Sequence, residues 1–345
     1  MTNVFLKPSH GYDYSPAHAH LYPQIGQVRT RIVFDGGNRF VKWVDPHNQV
    51  QCIPSCVKEV TEYQWRRLKP DHQTVLVELE GKRYVIGKLA QELGGEPTFQ
   101  KDKCELAEIL VLAVIEPNPG FDHVRIEQLA IALPNTLNDE DVAAVSRIAN
   151  HPLTKEFTRN GQAITYTVGE VVPIDETYPA FVYAQQQGFY QFPDAKNAVW
   201  DIGGGTAIAR LYTANGSMIQ TAEVILPGTK HLAQQIAAEL KEVFNLDYSP
   251  SLVDIMDAIQ RHDYLYGIDK LDFWAIYDRC ASQWVESARA EIRSKWVDHL
   301  AQLGHVLVVG GSASLAQPIC EATGDRFFIP DNPQLFNIIA MAHME

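Results

Sequence analysis

The chain has 345 residues, 46% of them hydrophobic and 21% charged, which is the composition of a water-soluble globular protein long enough for two buried cores. Its formal net charge of −13 argues against a surface that tracks a nucleic-acid backbone, where clustered Lys and Arg must neutralise phosphates, but leaves room for a basic adaptor protein. No stretch approaches the roughly 20 apolar residues that cross a bilayer, no signal pattern opens the chain, and the five cysteines lack metal or disulfide spacing, so the expectation is a cytoplasmic protein without a membrane anchor.

Residues 1–29 hold Pro8, Pro16 and Pro23 among several His and Tyr, follow no period, and read as a flexible extension. From Arg31 the pattern turns strand-like. Arg31–Asp35 runs into Gly36-Gly37-Asn38, Arg39–Val44 follows, and the turn Asp45-Pro46-His47-Asn48 returns the chain to Val50–Cys56. Val75–Leu79 and Arg83–Ile86 predict a hairpin. Lys103–Glu116 has helical spacing, Val124–Leu133 reads as a strand, and Asn138–Ala149 as a helix capped by Asn138.

The opening pattern then recurs. Ala198–Asp201 leads into Ile202-Gly203-Gly204-Gly205-Thr206 and a second strand, Ala207–Tyr212, with Asp201 standing 166 positions after Asp35. Asn215-Gly216 signals a hairpin turn before a strand over Met218–Leu226. Strand, Asp, glycine turn, strand occurs twice, which points to two halves of one repeated fold. Helical spacing follows in Leu232–Phe244, Ser251–His262 and Asp272–Leu303. The apolar run Val306–Val309 enters Gly310-Gly311-Ser312, and Asn332–Met344 reads as a closing helix with Pro333 in its first turn. Trp274, Trp284 and Trp296 on the long helical run read as core or interface anchors.

Glycine runs allow a backbone to approach a ligand and aim consecutive N–H groups at it, which suits phosphate oxygens. An Asp at the strand end before such a turn suits Mg²⁺ held through water. Both turns lead into strands, so neither is the dinucleotide fingerprint, and no GxxxxGK[ST] run makes a P-loop. Read alone, Asp35–Asn38 is equally an ordinary hairpin turn. Three glycine elements in order after apolar strands carry more weight.

Asp35-Gly-Gly37-Asn-Arg-Phe-Val-Lys42 resembles the first phosphate motif, DxGxxxxK, of the actin, heat-shock chaperone and sugar kinase superfamily. Asp201–Thr206 resembles its second phosphate motif and Val308–Ala313 its adenosine motif. Ile53-Pro54-Ser55, Tyr84–Ala90 and Asn332–Ala340 are similar to segments of the bacterial plasmid-segregation actins of the ParM/StbA type. The resemblance covers about residues 30–345. It implies an α/β, duplicated actin-like (ribonuclease H-like) fold with two domains around a nucleotide cleft. Domain I would span 30–172, with a C-terminal helix of about 326–345 packing back on it, and domain II 173–325.

The resemblance also implies roles. Lys42 would contact the β- and γ-phosphates of ATP, and Gly36, Gly37, Asn38 and the amides of Gly203, Gly204, Gly205 and Thr206 would cradle them. Asp35 and Asp201 would hold hydrated Mg²⁺, and Gly310, Gly311 and Ser312 would line the adenosine. Glu176, with Asp175 as substitute, would orient or deprotonate the attacking water beside Asp201. The implied function is an ATPase that assembles into filaments with ATP and disassembles from the ADP state, segregating plasmid DNA through a DNA-binding adaptor. A non-polymerising nucleotide-gated interaction protein and a small-molecule kinase are the alternatives. Ser312, where the family often has a third glycine, is a departure, and the ribose and adenine contacts in Ser251–Asp263 are left unplaced.

Overall fold

The computed structural model describes residues 27–98, 103–324 and 326–344. The chain divides into two compact units, one running to Glu176 and resuming at Ile338, the other spanning Thr177–Asn337, so it passes between units twice. The expected extension ends early, because Gln27, Val28 and Arg29 already pair with Val124–Ile126. Residues 1–26 lie outside the described residues.

The first unit opens with β1 (Gln27–Gly36), β2 (Phe40–Val44) and β3 (Val50–Pro54), an antiparallel meander. β4 (Cys56–Glu59), α1 (Glu62–Trp65), β5 (Thr74–Leu79), β6 (Lys82–Gly87), α2 (Lys88–Glu92) and β7 (Glu96–Pro97) extend the opposite end of the sheet. Between them come α3 (Lys103–Val114), β8 (His123–Leu133), α4 (Asp139–Ser146), β9 (Lys155–Arg159) and β10 (Gln162–Asp175). The sheet order is β3-β2-β1-β8-β10-β9-β5-β6-β4-β7. β1, β8 and β10 are parallel, with Phe34 opposite Ile131 and Ile131 opposite Pro173.

Parallel central strands are covered on both faces, which is why Leu129–Leu133 is buried without alternation. Ile32, Phe34, Leu110, Val114, Ile131 and Val168 share one core. Asn138 caps α4 as its sequence predicts, accepting from the Glu140 amide, with Asp139, Glu140 and Asp141 in the first turn where acids favour the helix dipole.

The second unit contains α5 (Tyr178–Gln186), β11 (Lys196–Ile202), β12 (Thr206–Tyr212), β13 (Val224–Pro227), α6 (Thr229–Val243), α7 (Leu252–Arg261), a small hairpin of β14 (Leu265–Tyr266) and β15 (Leu271–Asp272), α8 (Trp274–Lys295), β16 (Leu303–Val309), α9 (Gln317–Thr323) and β17 (Phe327–Phe328). α10 (Phe336–His343) begins in this unit and ends in the first. The sheet order is β13-β12-β11-β16-β17, with β11, β16 and β17 parallel. This repeats β3-β2-β1-β8-β10 strand for strand: a meander whose first strand is joined by two parallel strands. The fold is duplicated, as the doubled Asp–glycine pattern predicts.

Three further sequence expectations change. Met218–Leu226 is not one strand, because Gln220–Ala222 coils into a 3-10 turn that separates an isolated bridge from Met218 to Tyr212 from the strand Val224–Pro227, both on β12. The helical run after Asp272 ends at Lys295, and 297–302 tightens into 3-10 geometry. The closing helix starts at Phe336 rather than Asn332, since Asn332 takes φ +53° and the Pro333 carbonyl is engaged by the Gly310 amide. Trp284 and Trp296 are buried, their indole N–H groups donating to the Pro227 and Ala222 carbonyls, whereas Trp274 is half exposed against Tyr264 and Tyr277. No helix among the described residues is long and apolar enough to cross a membrane.

Candidate functional site

In the first unit the ends of the parallel strands β1, β8 and β10 share one edge, where α/β folds place their ligands. β1 delivers Asp35 to it. Across the hairpin Asp35 faces Lys42, and Lys42 faces Cys52. The Lys42 ammonium donates to Asp35 Oδ2 at 2.8 Å, both side chains being largely buried. Burial pushes the Cys52 thiol up to about 11, with Lys42 pulling it down and Asp35 pushing it up. Gly37 lies over the ion pair: a Cβ there would sit 2.8 Å from the Phe40 carbonyl oxygen and 3.5 Å from Asp35 Oδ1.

The carbonyls of this first turn are held from behind. The buried Thr98 hydroxyl donates to the Asn38 carbonyl oxygen at 2.8 Å, with the Gly37 oxygen at 3.4 Å and the Ser55 hydroxyl at 2.9 Å. The Ser55 amide donates to the Arg39 carbonyl at 2.8 Å. In a trans peptide the C=O and N–H point opposite ways. Fixing the carbonyls of residues 37–39 toward Thr98 and Ser55 therefore turns the amides of Asn38, Arg39 and Phe40 to the other side.

The second turn, between β11 and β12, repeats this with different parts. The carbonyls of Gly203, Gly204 and Gly205 accept from the amides of Thr229 (3.2 Å), Lys230 (2.8 Å) and Gly228 (2.9 Å). These are the N-terminal amides of α6, which a helix leaves without internal partners. By the same peptide geometry the amides of Gly204, Gly205 and Thr206 point away from α6. Gly228 is indispensable: a Cβ would meet Gly203 O, Gly205 C and Thr206 N at 2.6, 2.7 and 2.7 Å. Such rows of outward amides are what an anion with several oxygens requires.

Asp201 is buried beside this turn, and its Oδ2 accepts from Asn337 Nδ2 at 2.6 Å. β16 runs parallel to β11 with Val309 opposite Asp201, so the Gly310–Ser312 turn shares the strand-end edge of the second phosphate motif. Gly310 has φ +96°, and a Cβ there would stand 2.3 Å from Asp201 Oδ1. The Ser312 amide donates to the Ile202 carbonyl, as a glycine's would, and its hydroxyl, which a third glycine lacks, stands 3.1 Å from Thr229 Oγ1. Gln334 borders Gly311 and accepts from Gln260, which brings the end of α7, the segment left unplaced by sequence, to this turn.

Glu176 follows β10 at the first unit's edge, its amide bonded to the Leu133 carbonyl. It lies two strands over from β1, and because Pro173 is level with Phe34 it stands two residues further along than Asp35. Asp175 is committed to Thr136, accepting from its amide and hydroxyl at 3.1 and 3.0 Å. A groove of about 620 Å³ lined by Pro227, His231, Trp284, Ala288 and Glu291 includes none of the predicted site residues. Sequence reasoning missed Thr98, which no local pattern marks. It missed the bracing role of Ser55, quoted only as part of Ile53-Pro54-Ser55, and that of Gly228, whose signal was a glycine opening an amphipathic helix.

Two duplicated units with an Asp–glycine turn at matching positions define a protein of the actin-like fold. Residues 34–177 match the family described as actin like proteins N terminal domain. Among solved structures, the chain is similar to an archaeal actin homologue, Ta0583, at 12% identity and TM-score 0.72, covering 90% of this chain and 97% of that one. It is similar to the ParM of a 15-stranded filament from Clostridium botulinum at 12% identity and TM-score 0.70, covering 92% and 98%. It is also similar to the pSK41 ParM protein at 18% identity and TM-score 0.63, covering 91% and 95%. No curated protein sequence matches the chain.

Proposed function

We propose that the chain is an ATPase that binds ATP with hydrated Mg²⁺, assembles head to tail into filaments and disassembles after hydrolysis, segregating plasmid DNA in a bacterial cytoplasm through a DNA-binding adaptor. The observation that carries this reading is the pair of turns at 37–39 and 203–205, each with three consecutive carbonyls fixed from behind and a buried Asp at the preceding strand end. The solved relatives lend support: the archaeal homologue exists in complex with ADP, and the Clostridium botulinum ParM is a filament. Head-to-tail contacts are heterologous and generate open polymers.

Lys42 and the amides of both turns bind and orient the phosphate chain, and Gly310, Gly311 and Ser312 receive the adenosine. Asp35 and Asp201 are hard oxygen donors of the kind that hold Mg²⁺ through its waters. Asn337 Oδ1, buried without a hydrogen-bond partner beside Asp201, offers one such water a further acceptor. Mg²⁺, when bound, supplies neutralisation of phosphate charge. Glu176 orients the attacking water and takes its proton, while Asp175 is occupied by Thr136.

Light scattering and negative-stain imaging after addition of Mg-ATP, with phosphate release followed in parallel, test the reading. Filaments that form with ATP and decay as phosphate appears are expected. Glu176→Gln should slow phosphate release by about 100-fold or more and prolong the filaments, with nucleotide affinity preserved. Nucleotide binding without assembly across salt and crowding conditions would replace this reading with a gated interaction protein.

A further inference from the structure

Both passages of the chain between units are rooted in one hairpin. The first passage lies at Glu176/Thr177 and the second at Asn337/Ile338. Thr177 is fully buried, and its hydroxyl stands 2.8 Å from the Tyr212 hydroxyl and accepts from the Arg210 guanidinium at 3.3 Å. Arg210 is itself fixed by Glu223 at 2.7 Å. Arg210 and Tyr212 belong to β12, the strand that leaves the second phosphate turn. Asn337, at the other passage, reaches Asp201 on β11, the strand that enters the same turn.

The second anchor differs from the first in chemistry. Arg210, Tyr212 and Thr177 form a satisfied network that simply holds. Asn337 donates its amide to the carboxylate placed to engage the metal, and its carbonyl oxygen is left buried without a partner, at 7% residue exposure. Leaving a buried acceptor unmet costs on the order of 1–3 kcal/mol, so a structural amide would be expected to use both ends. The space around Asp201 is reserved as well, since any Cβ at Gly310 would collide with Oδ1.

We propose that Asn337 is a positioning residue that ties the Asp201 carboxylate to the second passage between the units, so that engagement of a hydrated cation and nucleotide at Asp201 is felt by the first residues of α10 beyond it. The proposal rests on the nucleotide reading above. Nδ2 holds the carboxylate rotamer, and the unmet Oδ1 accepts from a cation-bound water only when the site is loaded. Loading therefore completes the Asn337 bonds and steadies the peptide that follows.

The test is amide hydrogen exchange across 338–343 in the full chain, with and without Mg-ADP, comparing the parent with Asn337→Ala and Asn337→Asp. Fluorescent-ADP titration gives affinity, and circular-dichroism melts confirm folding. In the parent, Mg-ADP should slow exchange at 338–343 by about 10-fold, a coupling of ordinary size. In Asn337→Ala, affinity should fall about 10-fold, the loss of one charge-assisted hydrogen bond, and slowing at saturating Mg-ADP should drop below about twofold. Asn337→Asp keeps the shape but sets a second carboxylate against Asp201. It should bind ADP poorly at low Mg²⁺, recover at high Mg²⁺ and still lack the slowing. Parent-like slowing in either folded variant overturns the proposal and leaves the nucleotide reading intact. If the parent binds no Mg-ADP, the nucleotide reading falls and takes the proposal with it. Should Asn337→Ala fail to fold, Asn337→Asp alone decides.

Discussion

The two phosphate turns occupy the same place in two copies of one fold, yet they are built from different materials. Opposite Asp35 stands Lys42, and at the matching position opposite Asp201 stands the apolar Ile208. The first turn is braced by the Thr98 hydroxyl and the amide of Ser55, the second by the amide row that opens α6. The first Asp is held by a cation from its own hairpin, the second by an amide 136 residues away. Duplication has kept the outcome, three carbonyls turned in and three amides turned out, while the parts that enforce it diverged. A charged partner suits a group meant to grip phosphate as well as hold its neighbour. A neutral amide orients Asp201 without cancelling its charge.

The comparison can be broken most forcefully at Gly228. Gly228→Ala forces a Cβ against three backbone atoms, so the second turn must separate from α6, and denaturant unfolding should show a loss of about 3 kcal/mol or more together with lost nucleotide binding. Among the described residues no glycine plays this part behind the first turn, so the asymmetry between halves is itself the prediction. Next in size is Lys42→Ile, which writes the second half's residue into the first. It strips the buried Asp35 of its cation, and equilibrium unfolding should report a cost of about 3 kcal/mol. Affinity for ATP should fall at least 100-fold, because the same ammonium would no longer reach the phosphate oxygens.

Thr98→Val keeps the volume and removes the hydroxyl behind Asn38. A loss of about 1–2 kcal/mol in stability and a roughly 10-fold weaker ATP titration are expected, with the second turn untouched. A Thr98→Val protein with parent affinity would mean that the first turn needs no brace. The smallest effect concerns Cys52. With its thiol at about 11 instead of 9.0, iodoacetamide at pH 8 should alkylate it about 100-fold more slowly than an exposed thiol, and more slowly still in Lys42→Ile, where the lowering charge is gone. Because the folded-state value is raised, the stability supplied by the neutral thiol is fully present below about 9 and is lost as pH climbs toward about 11.

Much of this is legible in the sequence. Asp35, Asp201 and the glycine runs stand out because a backbone that must bend sharply at a strand end tolerates few residue types, and the strands around them announce themselves by apolar runs. The α4 cap at Asn138 was equally plain, being settled within three residues. The braces were not legible. Thr98 acts on a turn 60 residues away, and nothing in Gly-Glu-Pro-Thr distinguishes a hydroxyl that holds a carbonyl from one that meets water. The start of α10 was misplaced for a related reason: Asn332-Pro333 is a good helix opening locally, but the Pro333 carbonyl is taken by Gly310.

By itself the sequence determined the repeat, the strand–Asp–glycine order and the chemical identity of the groups at each strand end, since these depend on near neighbours and on a period that the chain carries openly. Tertiary structure alone decided which side of each turn faces outward, which carboxylate is held by a cation and which by an amide, and that both passages between units root in the β11–β12 hairpin. Those outcomes depend on hydrogen bonds between residues far apart in the chain. A donor's direction is set by where the fold carries its strand or helix, and no local pattern of residues encodes that.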